Sequence, residues 1–133
     1  MDHANKAEVL EAAILCADNP AETAARLSRL SGLPVEPDPA GGFLLRLPGA
    51  ARAAGPKAPA LETRVRVLTP EALATVLPGV VAPASPFMAG MVVRTADGAA
   101  SARRILAGMP AREASEGIMV PPEFAAGAAI IFT

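Results

Sequence analysis

The sequence predicts an α+β domain in which one β-α-β-β-β plan is written twice. Three observations carry that prediction. The stretch Leu30-Ser31-Gly32-Leu33-Pro34 returns as Leu106-Ala107-Gly108-Met109-Pro110, 76 positions later (106 − 30). Each copy closes a run with helical spacing, and each run follows a short apolar strand, at 12–17 in one half and 89–93 in the other. Between the halves, 78–86 contains Pro78, Gly79, Pro83 and Pro86 and reads as a connector.

In chain order, 1–9 is polar and reads as a flexible leader. The first strand runs 11–17. Asp18 or Asn19 caps a helix with Pro20 in its first turn. Ala24, Leu27 and Leu30 are expected on its core face, Arg26 and Arg29 outside, and Gly32 ends it. Pro34-Val35-Glu36 suits an edge strand, because proline cannot donate to a ladder. Residues 43–47 form a strand, and 48–60, rich in Ala, Gly and Pro, a loop. In 63–68, Arg64 and Arg66 alternate with Val65 and Val67, the pattern of a half-buried strand. Thr69-Pro70-Glu71 caps a short helix to Val76.

The second half repeats the plan. Its first strand runs 89–95, Asp97 caps a helix with Ala102, Ile105 and Leu106 inward, and Gly108 ends it. Residues 111–115 and 117–120 suit a hairpin, Pro121-Pro122-Glu123 a turn, and 128–132 a last strand. That strand is apolar on both faces and so is expected to be covered on both.

Length and composition narrow the function classes. A chain of 133 residues suits one domain and buries roughly two-thirds of its unfolded surface. With no Trp or Tyr and four Phe, a pocket built on aromatic stacking is not expected. A net charge of −1 with interspersed signs leaves no basic footprint for nucleic acid. The longest apolar run, 124–132, is too short to span a bilayer, and the N-terminus lacks a signal pattern. The expected setting is the cytoplasm, without membrane or nucleic-acid partners. Cys16 is the only cysteine, so no internal disulfide forms.

The doubled plan, with Gly-Leu-Pro and Gly-Met-Pro after the helices and the ending Val120-Pro121-Pro122-Glu123…Gly127-Ala128-Ala129-Ile130-Ile131-Phe132, resembles the glyoxalase/bleomycin-resistance/dioxygenase (vicinal oxygen chelate) superfamily, and within it bacterial glyoxalase-like domains. Segments resembling Cys16-Ala17-Asp18-Asn19-Pro20, Arg64-Val65-Arg66-Val67-Leu68 and Pro86-Phe87-Met88-Ala89-Gly90 recur there in this order. The resemblance implies two βαβββ modules, 10–77 and 87–133, joined by 78–86 into one domain over 10–133. It also implies a curved mixed sheet with helices on its outer face, around a shallow cavity. In some such proteins this module is the second half of a longer chain, and His3-Ala4-Asn5 resembles the joining segment, so the chain reads as a possible fragment.

The resemblance further implies a divalent metal held near the modules' first and last strands. The matching positions here fall near Ala12, Gly90 and Ile131, none of which can ligate a metal. The single histidine, His3, lies in the leader. No metal and no cofactor are expected.

Two features remain as candidate ligand-binding groups. Cys16 is either a thiol facing the cup or a small buried apolar residue. Arg64 and Arg66 share a strand face, Arg46 lies on a neighbouring strand, and Arg94 ends the second half's first strand. On a concave face these guanidinium groups would bind a carboxylate or phosphate bidentately; on an outer face they would be ordinary solvated charges. The leading expectation is a metal-free domain that binds or sequesters a small molecule. The alternatives are a lyase- or isomerase-type enzyme that uses the arginines on a small anionic substrate, and a structural or dimerisation module. Homodimerisation is expected because the last strand offers apolar side chains to both faces.

Overall fold

The structure is a computed structural model that describes residues 3–48 and 62–133. Most of the expected loop 48–60 therefore lies outside the described residues. The first module contains β1 (Ala7–Cys16), α1 (Pro20–Ser31), β2 (Glu36–Pro37), β3 (Gly42–Leu47) and β4 (Thr63–Leu68). A short helix, α2 (Pro70–Val76), leads to the connector. The second module contains β5 (Phe87–Thr95), α3 (Ala100–Ile105), β6 (Arg112–Glu113), β7 (Ile118–Val120) and β8 (Ala129–Phe132).

All the strands join one eight-stranded mixed sheet in the order β2-β3-β4-β1-β5-β8-β7-β6. The sequence repeat becomes a topological repeat. In each module the first strand lies parallel to the last, β1 to β4 and β5 to β8, and the modules meet where β1 runs antiparallel to β5.

Local chemistry explains most of the boundaries. Asn19 accepts the Glu22 N–H at 3.2 Å, Pro20 opens α1, and Gly32 closes it at φ +74°. Thr69 caps α2 in the same way through the Ala72 N–H. β1 starts at Ala7, inside the stretch read as leader, because pairing with β5 extends back to Ala7↔Thr95. Asp97 holds the start of α3 through the Ser101 N–H at 2.9 Å. The helix ends at Ile105, earlier than the turn around Gly108.

Two expected core residues are exposed. Leu30 is 86% exposed and Ile105 is 50% exposed. Steps of three along a helix drift by about 60° each, so Leu30 has rotated well off the face set by Ala24. In α3, Ala102 keeps the inward face and Ile105 falls at the helix end.

The sheet has two differently covered faces. On one, α1 packs Ala24 and Leu27 over Leu45 and Val67, and Ala102 of α3 and Leu106 just after it pack near Ile118. On the other, Ala72, Leu73 and Val76 of α2 meet Ile14, Leu68, Met119 and Ile131. The second face is the concave one. Four strand spacings separate β4 from β7, roughly 19 Å in a flat sheet. Yet Glu116, on the turn before β7, reaches Arg66 on β4 at 2.9 Å, which requires the sheet to curl toward that face.

β8 reverses one expectation. Its concave side, Ala129 and Ile131, is fully buried, whereas the outer side, Ile130 and Phe132, is only partly covered. α2 and the last turn of its segment fill the cup, and the six-residue α3 is too short to roof the outer side.

Candidate functional site

The concave face divides into an apolar plug and a charged pocket. The register of β1 with β4 places Ala12 opposite Arg64, Ile14 opposite Arg66 and Cys16 opposite Leu68. All six share that face. Ala12, Ile14, Cys16 and Leu68 go into the plug. Arg64 and Arg66 point to the other end, where Glu11, Arg94, Glu116, Val92 and Thr133 join them around a cavity of about 310 Å³.

Arg66 is the centre of this arrangement. Its side chain is 4% exposed. Nε and Nη2 donate to the two oxygens of Asp38 at 2.8 and 3.2 Å, and Nη1 donates to both oxygens of Glu116 at 2.9 and 3.2 Å. Asp38 sits in the β2–β3 turn with its side chain wholly buried, and also accepts the Ala40 N–H at 2.9 Å. Burial, the largest single influence on Arg66, works to lower its pKa, but the hydrogen bonds to Asp38 and Glu116 together outweigh it and raise it. The guanidinium stays charged.

The other arginines are held more loosely. Arg64 lies 3.5 Å from Glu11, which also accepts the Thr133 hydroxyl at 3.1 Å. Arg94 lies 3.9 Å from Glu8. Arg46 stands directly across from Arg64 in the β3–β4 ladder, a like-charge pair that is unfavourable unless each is neutralised. Glu36 and Glu62 neutralise Arg46 at 3.0 and 2.7 Å, on the rim and outside the pocket.

The structure thus brings Arg64, Arg66 and Arg94 together, leaves Arg46 on the rim, and separates Cys16 from all of them. Cys16 borders a different cavity, of about 550 Å³, beside α2 and the connector. Burial, then the charges of Asp18 and Glu71, push its thiol pKa up, so it remains a thiol at neutral pH. Sequence reasoning did not single out Asp38, Glu116, Glu11 and Thr133. Asp38 and Glu116 stand in Pro- and Gly-bounded turns and read as turn residues. Their one signal is indirect: an arginine that alternates with valines in a strand, if buried, demands carboxylates.

At Ala12, Gly90 and Ile131, near which the resemblance implies a metal, the residues present do not fit one. Ala12 and Ile131 are fully buried and carry no donor atom. A Cβ at Gly90 would lie 2.7 Å from the Ala129 carbonyl oxygen and 3.1 Å from Leu77 Cδ1. The plug therefore occupies the space a ligating side chain would need. Among the described residues, no three His, Cys, Asp or Glu side chains gather as a metal-binding group.

No family profile matches the chain, and no curated protein matches its sequence. Solved structures do. The chain is similar to methylmalonyl-CoA epimerase from Mycobacterium tuberculosis, at 16% identity over 99% of this chain and 91% of that one, with a TM-score of 0.64. It is also similar to two variants of Streptomyces coelicolor methylmalonyl-CoA epimerase in complex with 2-nitronate-propionyl-CoA. One matches at 13% identity over 95% of this chain and 96% of that one, with a TM-score of 0.63. The other matches at 13% identity over 95% and 93%, with a TM-score of 0.65. At these identities the likeness is one of fold: the chain has the vicinal oxygen chelate fold of the glyoxalase/bleomycin-resistance superfamily, which the methylmalonyl-CoA epimerases share.

Proposed function

We propose that the chain is a lyase- or isomerase-type enzyme acting on a small anionic substrate held in the concave pocket. The observation that carries this reading is the convergence of Arg64, Arg66 and Arg94 with Glu11 and Glu116 around one cavity. The shared fold of epimerases that handle an acyl-CoA supports it. In this reading Arg64 and Arg94, paired only at 3.5 and 3.9 Å, attract the anionic substrate into the pocket that Arg66 also lines. Glu11 is the proton-transfer group. Its carboxylate is oriented by the Thr133 hydroxyl and is within reach of a ligand beside Arg64.

The test is hydrogen exchange at the carbon next to the carbonyl. A panel of short 2-substituted acyl thioesters and carboxylic acids is incubated with the protein in D₂O and followed by NMR. Glu11→Gln should slow exchange by about 10²-fold or more. Exchange at the protein-free rate for every compound would overturn the enzyme reading.

A second reading, binding or sequestration without turnover, is favoured by Ala12, Gly90 and Ile131, which give the superfamily's metal positions no donor. It predicts saturable binding of the same panel with no exchange, and ligands that raise the melting temperature. Self-association of the chain is supported by the partly open outer side of β8. There Phe124 and Met109 are 62% and 53% exposed beside Ile130 and Phe132. Among the described residues no helix is long and apolar enough to cross a membrane.

A further inference from the structure

Arg66 is held unlike the other arginines of the pocket, and the difference has a direction. One edge of its guanidinium, Nε and Nη2, is clamped by Asp38, which has no exposed side-chain surface and is itself pinned by the Ala40 N–H. The remaining terminal nitrogen, Nη1, is turned to Glu116, which lines the cavity together with Arg66. Glu116 meets it with both oxygens.

Glu116 is not pinned in the same way. Its side chain is 36% exposed. It comes from the other module, on the turn of a short hairpin that has the pairs Arg112↔Met119 and Glu113↔Ile118 and is closed by the Ala114 N–H to the Gly117 carbonyl at 2.7 Å. Among the described residues Arg66 is its one hydrogen-bond partner. Buried Arg66 thus has one wholly buried carboxylate and one that is partly open to solvent. The donor at Nη1 restricts what can replace it. Around the cavity, Arg64, Arg66 and Arg94 face Glu11 and Glu116, with Asp38 behind Arg66 and Glu8 beside Arg94. A neutral group in place of Glu116 would give Nη1 only an uncharged acceptor, whereas a carboxylate would replace the charge-assisted hydrogen bonds that Glu116 makes.

We propose that Glu116 is an internal stand-in for the ligand's carboxylate, and that a small carboxylate binds by displacing it from Nη1 of Arg66. Arg66 is then the residue that selects carboxylate-bearing ligands, and Glu116 lowers their apparent affinity by competing for the same donor. This rests on the concave pocket being the ligand site, and names the ligand's chemical class and the group that reads it.

The experiment titrates the wild-type chain and Glu116→Gln with propionate, and with propionamide as the neutral isostere, at fixed ionic strength. Arginine side-chain Nε–Hε signals are followed by NMR. In the wild type, saturating propionate should move the Arg66 signal and propionamide should not. Glu116→Gln should bind propionate at least tenfold more tightly. If Glu116→Gln does not fold, the wild-type titration still decides, because the Arg66 signal is read directly. Propionate that moves Arg64 and Arg94 but leaves Arg66 unchanged overturns this inference and leaves the proposed function standing. Unchanged affinity in a folded Glu116→Gln, or no binding by either protein, overturns it as well. The α-hydrogen exchange assay on Glu11 reads the enzyme proposal separately.

Discussion

Replacing Asp38 by Asn removes the charge that holds Arg66 inside the sheet while keeping the side chain's shape. Asp38 has no exposed side-chain surface, and Arg66 has 4%. With Asp38 neutral, Arg66 keeps only Glu116, which is 36% exposed and on a short hairpin turn. Breaking a buried pair from one side costs about 3–5 kcal/mol, because it leaves an uncompensated charge. That is a large part of the roughly 5–15 kcal/mol available to a domain. With a urea slope of about 2 kcal/mol/M, the unfolding midpoint should fall by about 2 M. The contrast is Arg46→Ala. That residue also has two carboxylates, at 3.0 and 2.7 Å, but its side chain is 49% exposed. Exposed pairs contribute about 0–1 kcal/mol, so its midpoint should barely move. A third protein, Asp38→Leu with Arg66→Met, removes both buried charges and should recover at least half of the loss, since apolar replacement of a buried pair is often near neutral. Circular dichroism in a urea series at pH 7 measures all three. A loss under about 1 kcal/mol for Asp38→Asn, or a double variant less stable than the single one, would refute the reasoning.

Gly90→Ala should lower the melting temperature by several degrees, about 1–3 kcal/mol, because the new Cβ meets the Ala129 carbonyl oxygen at 2.7 Å and Leu77 at 3.1 Å. Asp97 has its pKa lowered from 3.8, first by hydrogen bonding to Ser101, against desolvation. A lowered folded-state pKa gives stability that is present above the unfolded value and lost as pH falls through the folded one. The stability gap between wild type and Asp97→Asn should therefore be full at neutral pH and close below about pH 4. Light scattering at micromolar concentration should give a mass above the 13.4 kDa of one chain; a mass equal to it would refute self-association.

The elements, their order and their doubling were determined by the sequence alone, because their causes are local. Alternation in Thr63–Leu68 makes β4 wherever it lies, and Thr69 with Pro70 starts α2 from within its own turn. Asn19, Pro20 and Gly32 bound α1 for the same reason. Pairing of Arg64 and Arg66 on one face follows from a period of two. What that face meets does not. Arg66 bonds Asp38 from 28 positions away and Glu116 from 50, and no period links them. Only the curl of the sheet brings the β6–β7 turn over β4. The same holds for the last strand: its apolar pattern is equal on both sides, and the fold alone put α2's plug over Ile131 and left Phe132 partly open. Arg46 and Arg64 look equivalent by spacing, yet one lies on the rim between two glutamates and the other lines the pocket. Side-chain direction within a strand is set by neighbouring residues, whereas burial and ion pairing are set by which distant segments close over it.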